Sequence, residues 1–511
     1  YNNAYGISLI GTSTQDNRVS NNTVYGNDVG INIEQSCSNT ITGNHVYNNT
    51  EDGIHIEDAD YNEISSNYIH ENTGDGIHIE NADYNEISSN HVNENMEYGV
   101  YLLSMDNAIF TNNVIYNNAE EGIYLTSSST CTFSGNDVYN NTKGVYISSS
   151  TYNNFYNNTI HNNTNDGIYV YSSSHNNFTG NAVFNNSYNG IYAYSSSDNT
   201  FLDNQITENN LVGVVFTAST QFILKNNTID DNTYPMGIHG GNVSAYIHDI
   251  DTSNTVNGKT VYYLVNSQDN VIDGGGYIGI ISSTNVTVEN MNISGNIHGI
   301  LVVNSTNTGI VNVTSHDNKY GIYLFSSSYS NITDCILYNN DYDGISVYSQ
   351  SYFTSITSSS IYNNANGITA YYSQNTVVKH CNIYNNDNYG IFNTNLDEKY
   401  LVTATYNYWG QSSPLLGTDI AGDVDHVPWL MMEPPTTEYA SYPAASSFTN
   451  DPAYADDGNM STYWASKDIN YYGPQSITHD LQSRELISKI RIKIIIKRYL
   501  FRDYPGNILS L

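Results

Sequence analysis

A seven-residue phrase, Gly-Ile-Tyr-Val-Tyr-Ser-Ser from Gly167, recurs through most of the chain and leaves few folds open to it. Variants begin at Gly6, Gly30, Gly53, Gly76, Gly99, Gly122, Gly144, Gly190, Gly213 and Gly237. They resume at Gly276 (a weaker match), Gly299, Gly321, Gly344, Gly367 and Gly390. Successive starts lie 22, 23 or 24 residues apart, except for one step of 39 between Gly237 and Gly276. A fixed period of this size, with no helical spacing of apolar residues inside it, marks a solenoid of short strands.

Within one period, Ile54 and Ile56 alternate with His55 and Glu57, as in a strand with one buried face. A polar corner follows from Asp58 to Asn62, Ile64 begins a second apolar pair, Asn67 makes another corner, and Ile69 closes the turn. Three short strands and three corners per period predict an all-β fold, a right-handed parallel β-helix solenoid of about 17 coils of about 23 residues. Coils stacked at the strand spacing of roughly 4.8 Å give one rod on the order of 80 Å long. The long step is read as one coil plus an insert at about 257–272 that loops off this rod.

The chain carries 50 acidic and 15 basic residues, a formal net charge of −35. Seven of those basic residues, from Arg484 to Arg502, fall after residue 483. Such an acidic surface repels nucleic acid and anionic lipid and favours cations. No apolar run is long enough to span a membrane, so no transmembrane segment is expected. Cys335 and Cys381 fall at equivalent positions two coils apart, about 9.6 Å, beyond the reach of a disulfide. All four cysteines are therefore expected as free thiols. Numerous Asn-X-Ser/Thr triplets and the acidic surface favour an extracellular, cell-surface protein whose signal peptide is missing from this fragment.

Two kinds of row run from coil to coil. Asn44, Asn67, Asn90, Asn113, Asn136, Asn158, Asn181, Asn204 and Asn227 share one corner, where asparagine tolerates left-handed backbone and bonds locally. Two residues after each glycine, pointing outward, come His55, His78, Tyr101, Tyr124, Tyr146, Tyr169 and Tyr192. Four residues after come Glu34, Glu57, Glu80 and, further on, Tyr171 and Tyr194. The tyrosines read either as stacking that stiffens a sheet face or as a platform for sugar rings. The His55, His78, Glu57 and Glu80 cluster reads as a solvated acidic face, as a divalent-cation site with Ca2+ the first candidate, or as a carboxylate pair for glycoside hydrolysis. Glu34, Glu57 and Glu80 are the candidate catalytic groups, since stacked carboxylates can meet the spacings such hydrolases use.

The Gly-Ile-Tyr phrase with Tyr-Asn-Asn endings resembles the repeats of the NosD-type β-helix family, common in surface proteins of methanogenic archaea. The similarity extends to the stretch Asn257 to Ser267 and to Tyr406-Asn-Tyr-Trp-Gly410 with Asp425-His-Val-Pro-Trp-Leu430, read as a C-terminal cap over 401–430. It implies residues 1–430 as the β-helix and a glycan as partner. Beyond a Pro-rich linker at 431–444, the run Asp456-Asp457-Gly458-Asn459, Thr462 and Trp464 resembles the opening of a discoidin domain. That resemblance implies a truncated β-sandwich over 445–511.

Together these features predict a cell-surface β-helix that recognises carbohydrate or joins other surface-layer proteins. The alternative is a polysaccharide hydrolase or lyase working on the Glu/His face.

Overall fold

A computed structural model describes residues 2–431, except 396, 397, 412, 413, 415, 416 and 418. The remainder of the expected linker and the discoidin-like segment at 445–511 lie outside the described residues. The architecture is all-β and right-handed, about 18 turns of ~23 residues. Each turn places three short parallel strands on three sheets. In the first part of the chain these sheets hold 11 strands each along the rod, and the register Ile54↔Ile77↔Val100 repeats without slippage. Ile54, Ile56, Ile77 and Ile79 are fully buried, and His55, Glu57, His78 and Glu80 face out, as the alternation requires.

Glycine recurs because the corner before the first strand has no room for a side chain. A Cβ on Gly53 would lie 2.5 Å from Cγ2 of Ile69 and 2.7 Å from the carbonyl oxygen of Gly76 on the next coil. The asparagine ladder stands, with a refinement. In the row from Asn44 the carboxamide points inward, and Oδ1 of Asn136 accepts both the backbone N–H and the side-chain N–H of Asn113, each at 3.0 Å. The left-handed corner residue is not the ladder asparagine but its predecessor, such as Ser66, Asn112 or Gly135. A second ladder follows Asn49, Asn72, Asn95, Asn118 and Asn141, and inside the core Phe110, Phe133, Phe155, Phe178 and Phe201 stack at 4.5–5.1 Å. The four cysteines are free, and burial pushes the thiols of Cys131 and Cys381 up to about 12.

The expectation of one rod is corrected, and so is that of an insert looping off it. Residues 257–272 do not loop away. Thr255–Val256 turns at Asn257 and Gly258 into the antiparallel strand Lys259–Val265, which opens a second rod whose first sheet has eight strands. Val261 is fully buried, Tyr263 nearly so, and Ile272 is in the core of the second rod. The glycine register shifts at the same place. Pro235, not Gly237, stacks on Gly213, and Tyr277, not Gly276, occupies the position of Gly299.

The first sheet of the second rod is buried on both faces at its start. Ile278, Ile280, Ile300 and Val302 fill the second rod's own core, whereas Tyr277, Ile281, Leu301 and Val303 join the core of the first rod. The second rod therefore plugs the open end of the first, which would otherwise expose core and unpaired strand edge. Its Ile297 packs against Val212 and Val215 on the outer face of the first rod, and a Cβ on Gly237 would lie 2.8 Å from Cγ1 of Ile297. Tyr234 donates its hydroxyl to Asp341, and the rings of His239 and His298 meet at 5.2 Å. At the far end Trp409 and Trp429 lie in the second core, and Leu430 beside them in sequence is buried.

Two outcomes follow from this packing. Asn113→Ala strands the Asn90 amide groups and the carbonyl of Ile87, and should lower unfolding stability in urea by about 2–4 kcal/mol. Asn112→Gly, at a neighbouring left-handed corner, should cost less than about 1 kcal/mol. Burial lowers His239 and His248 to about 4, and burial, His239 and Lys319 hold His298 well below its usual value. These histidines are neutral in the fold but protonate in the unfolded chain below about pH 6.5, so stability falls as pH drops from there toward about 4. Thermal melts across that window should show the fall, and His298→Leu should make it shallower; an identical slope in the variant would contradict this assignment.

Candidate functional site

The decorated face is the outer side of the first sheet, and its geometry starts at the corner preceding it. The residue before each glycine forms a row the sequence reading did not single out: Asp52, Asp75, Tyr98, Glu121, Lys143, Asp166 and Asn189. Here carboxylates hold the next coil. Oδ1 of Asp52 accepts the N–H of Asp75 at 2.9 Å, and Oδ1 of Asp75 accepts the N–H of Tyr98 at 2.9 Å. The recurring Asp-Gly pairs at 52–53, 75–76 and 166–167 were the available signal.

The second oxygens of these carboxylates reach the two histidines. Nδ1 of His55 lies 3.0 Å from Oδ2 of Asp52, and Nδ1 of His78 lies 2.9 Å from Oδ2 of Asp75 and 3.8 Å from Oδ2 of Asp52. The imidazoles stack at 4.8 Å. Their other nitrogens face the expected glutamates, with Nε2 of His55 3.9 Å from Glu57 and Nε2 of His78 3.9 Å from Glu80. Burial raises the carboxyl of Asp75. For His78, burial opposes the charged form, but the hydrogen bond to Asp75 and the charges of Asp52, Asp75 and Glu80 outweigh it and raise its value. Glu34 stands beside Glu57 in the ladder, one coil away.

The tyrosines continue the histidine column. Tyr101 packs on His78 at 4.7 Å, and Tyr101, Tyr124, Tyr146, Tyr169 and Tyr192 follow at 4.8–5.4 Å. Neighbouring rings are inclined at 25–58°, so each face is partly covered by the next ring. Burial and neighbouring groups push up the phenols of Tyr98, Tyr101 and Tyr146, and that of Tyr169 to about 12, so all remain protonated donors at neutral pH. Tyr171 and Tyr194 form a second, more exposed stacked pair at 5.9 Å. Lys143 is tied to Glu121 at 2.6 Å and lies over the rings of Tyr146 and Tyr169. The column ends at Val215, where Ile297 of the second rod covers the face. At the histidine end, an open cleft of about 410 Å3 is lined by Asp52, Asp75, His78, Tyr98 and Tyr101 among others.

Residues 104–261 and 250–405, together more than half of the chain, match the family model described as a right-handed beta helix region. Residues 1–121 match the family described as periplasmic copper-binding protein (NosD). No curated protein matches the chain. Among solved structures it is similar to the A-module of a mannuronan C-5 epimerase from Azotobacter vinelandii, at 15% identity over 46% of this chain and 78% of that one, with a TM-score of 0.38. It is also similar to a periplasmic alginate epimerase (15% identity, 46% and 74% covered, TM-score 0.35) and to a pectate lyase (15%, 50% and 69%, 0.33). Likenesses at this level speak to neither substrate nor activity.

The copper in one family's description can be tested against the donors present. Cys131, Cys335 and Cys381 are buried, and no cysteine joins a converging donor group among the described residues. The group that does converge is Asp52, His55 and His78. Imidazole and carboxylate suit a divalent first-row ion, copper(II) included, and do not form a thiolate site. The coil repeat, its three parallel sheets and the match across more than half of the sequence agree: the chain belongs to the right-handed β-helix family.

Proposed function

We propose that this protein is a carbohydrate-binding β-helix acting outside the cytoplasm, and that the tyrosine column from Tyr101 to Tyr192, with Tyr171 and Tyr194, is its binding face. The observation that carries this reading is the uninterrupted row of outward phenols at one coil spacing. Because each ring leans against the next, the sugar contact is mainly a line of hydroxyl hydrogen bonds, with ring stacking at the more exposed Tyr171 and Tyr194. The net charge of −35, with Lys143 already paired, favours neutral glycans over polyanionic ones. The periplasmic description of the family matched by residues 1–121 supports the compartment, as do the glycosylation triplets. No helix among the described residues is long and apolar enough to cross a membrane.

A second reading, polysaccharide cleavage, is favoured by one observation: the Asp75–His78 pair opens on a cleft beside Tyr101. It predicts new reducing ends when the protein is incubated with a bound glycan, and Glu57→Gln with Glu80→Gln tests the carboxylate version of that chemistry.

Affinity electrophoresis through neutral polysaccharides tests the binding face. Tyr146→Phe with Tyr169→Phe removes two hydroxyls but keeps both rings, and should weaken retention by roughly an order of magnitude or more, at about 1 kcal/mol per hydrogen bond. The melting temperature should hardly change. Unaltered retention in the double variant, on a glycan the parent protein binds, would assign the column to sheet stiffening alone.

A further inference from the structure

We propose that Asp52, His55 and His78 form a site for a divalent transition-metal ion, bound through the two Nδ1 atoms and Oδ2 of Asp52, with Asp75 standing beside His78. Glu57 and Glu80 are then outer carboxylates that orient the imidazoles rather than ligands. The inference does not depend on the carbohydrate reading.

Three separations and the convergence of one donor group carry it. Donors about 2.1 Å from a tetrahedral ion stand about 3.4 Å apart. The three facing pairs here measure 3.0, 3.8 and 2.9 Å, and the ligand atoms of Asp52, His55 and His78 all lie within 4.8 Å of one another. Oδ2 of Asp52 thus stands between both imidazoles, each of which already points its Nδ1 into the same small space. An inward movement of His78 toward Asp52 would let the three donors share an ion in place of a proton.

The surroundings are those of a held site. The two histidines sit on neighbouring strands in fixed register, His55↔His78, and the two aspartates are anchored through their other oxygens to backbone N–H groups. On the far side of each ring, Nε2 faces a glutamate at 3.9 Å, close enough that a small side-chain rotation would bring an outer carboxylate onto a metal-bound imidazole. Paired imidazoles select first-row transition ions, whereas calcium takes six to eight oxygen ligands. The site expected from the sequence alone, calcium on His55, His78, Glu57 and Glu80, is therefore replaced by a zinc-like ion on the two histidines and Asp52. The site borders the cleft lined by Tyr98 and Tyr101, so a bound ion would lie beside whatever occupies it.

Equilibrium dialysis of the metal-stripped chain against zinc, with calcium in parallel, tests this. One zinc per chain is expected, with calcium at least a hundredfold weaker. Asp52→Asn with His55→Phe keeps the acceptor for the Asp75 N–H and the stacked ring while removing two ligands, and should weaken zinc binding a hundredfold or more. Glu57→Gln with Glu80→Gln should weaken it only about 10- to 100-fold, the usual cost of outer groups. Absence of zinc binding, equal affinity for calcium, or unchanged affinity in the Asp52/His55 variant overturns the proposal. X-ray absorption of the zinc-loaded unaltered protein gives an answer independent of variant folding: two imidazoles in the ligand shell support the site, and none overturns it.

Discussion

Between neighbouring coils, the carboxamide of one buried asparagine accepts the backbone N–H and the side-chain N–H of its counterpart on the adjacent coil, as Asn136 does from Asn113. Inside a core that excludes water, such a group cannot be left unpaired without a penalty of about 1–3 kcal/mol. A slip of one residue would break the row at every coil and turn every isoleucine outward. The ladder therefore fixes register, and register fixes the outer face. His55 lies against His78, and Tyr146 against Tyr169, because the coils below them have one way to stack.

Local rules explain most of what the sequence discloses. Alternation in Ile54-His55-Ile56-Glu57 and the glycine beat yield the coil, its buried face and the outward columns, since each depends on neighbours one period away. The elbow depends on contacts between distant coils, and the beat misleads there. Gly237 and Gly276 look like members of the series, but Gly237 is a gap left for Ile297, and Tyr277 takes the next glycine position. A signal was present: residues 261–265, 277–281 and 300–303 are apolar on both alternating faces, as a strand buried on both sides requires.

The site was half legible for a related reason. His55, His78, Glu57 and Glu80 share the strand and its alternation, so they read as one outward cluster. Asp52 and Asp75 lie at the corner, where alternation no longer says which way a side chain points, yet their carboxylates grip the next coil and aim the imidazoles. The aromatic column shows the reverse: its positions were legible, but the rings lean against each other, which changes the sugar contact they can offer.

Coil-to-coil register underlies the ladder, the histidine pair and the tyrosine column alike, and cysteine crosslinking reads it directly. Strands in neighbouring coils stand about 4.8 Å apart, within the span a disulfide bridges. Tyr124→Cys with Tyr146→Cys, partners across the first sheet, should oxidise readily to an intramolecular disulfide with the fold retained. Tyr124→Cys with Tyr169→Cys, two coils apart, should not. Crosslinking of the second pair in preference to the first would contradict the stacking on which the rest is built.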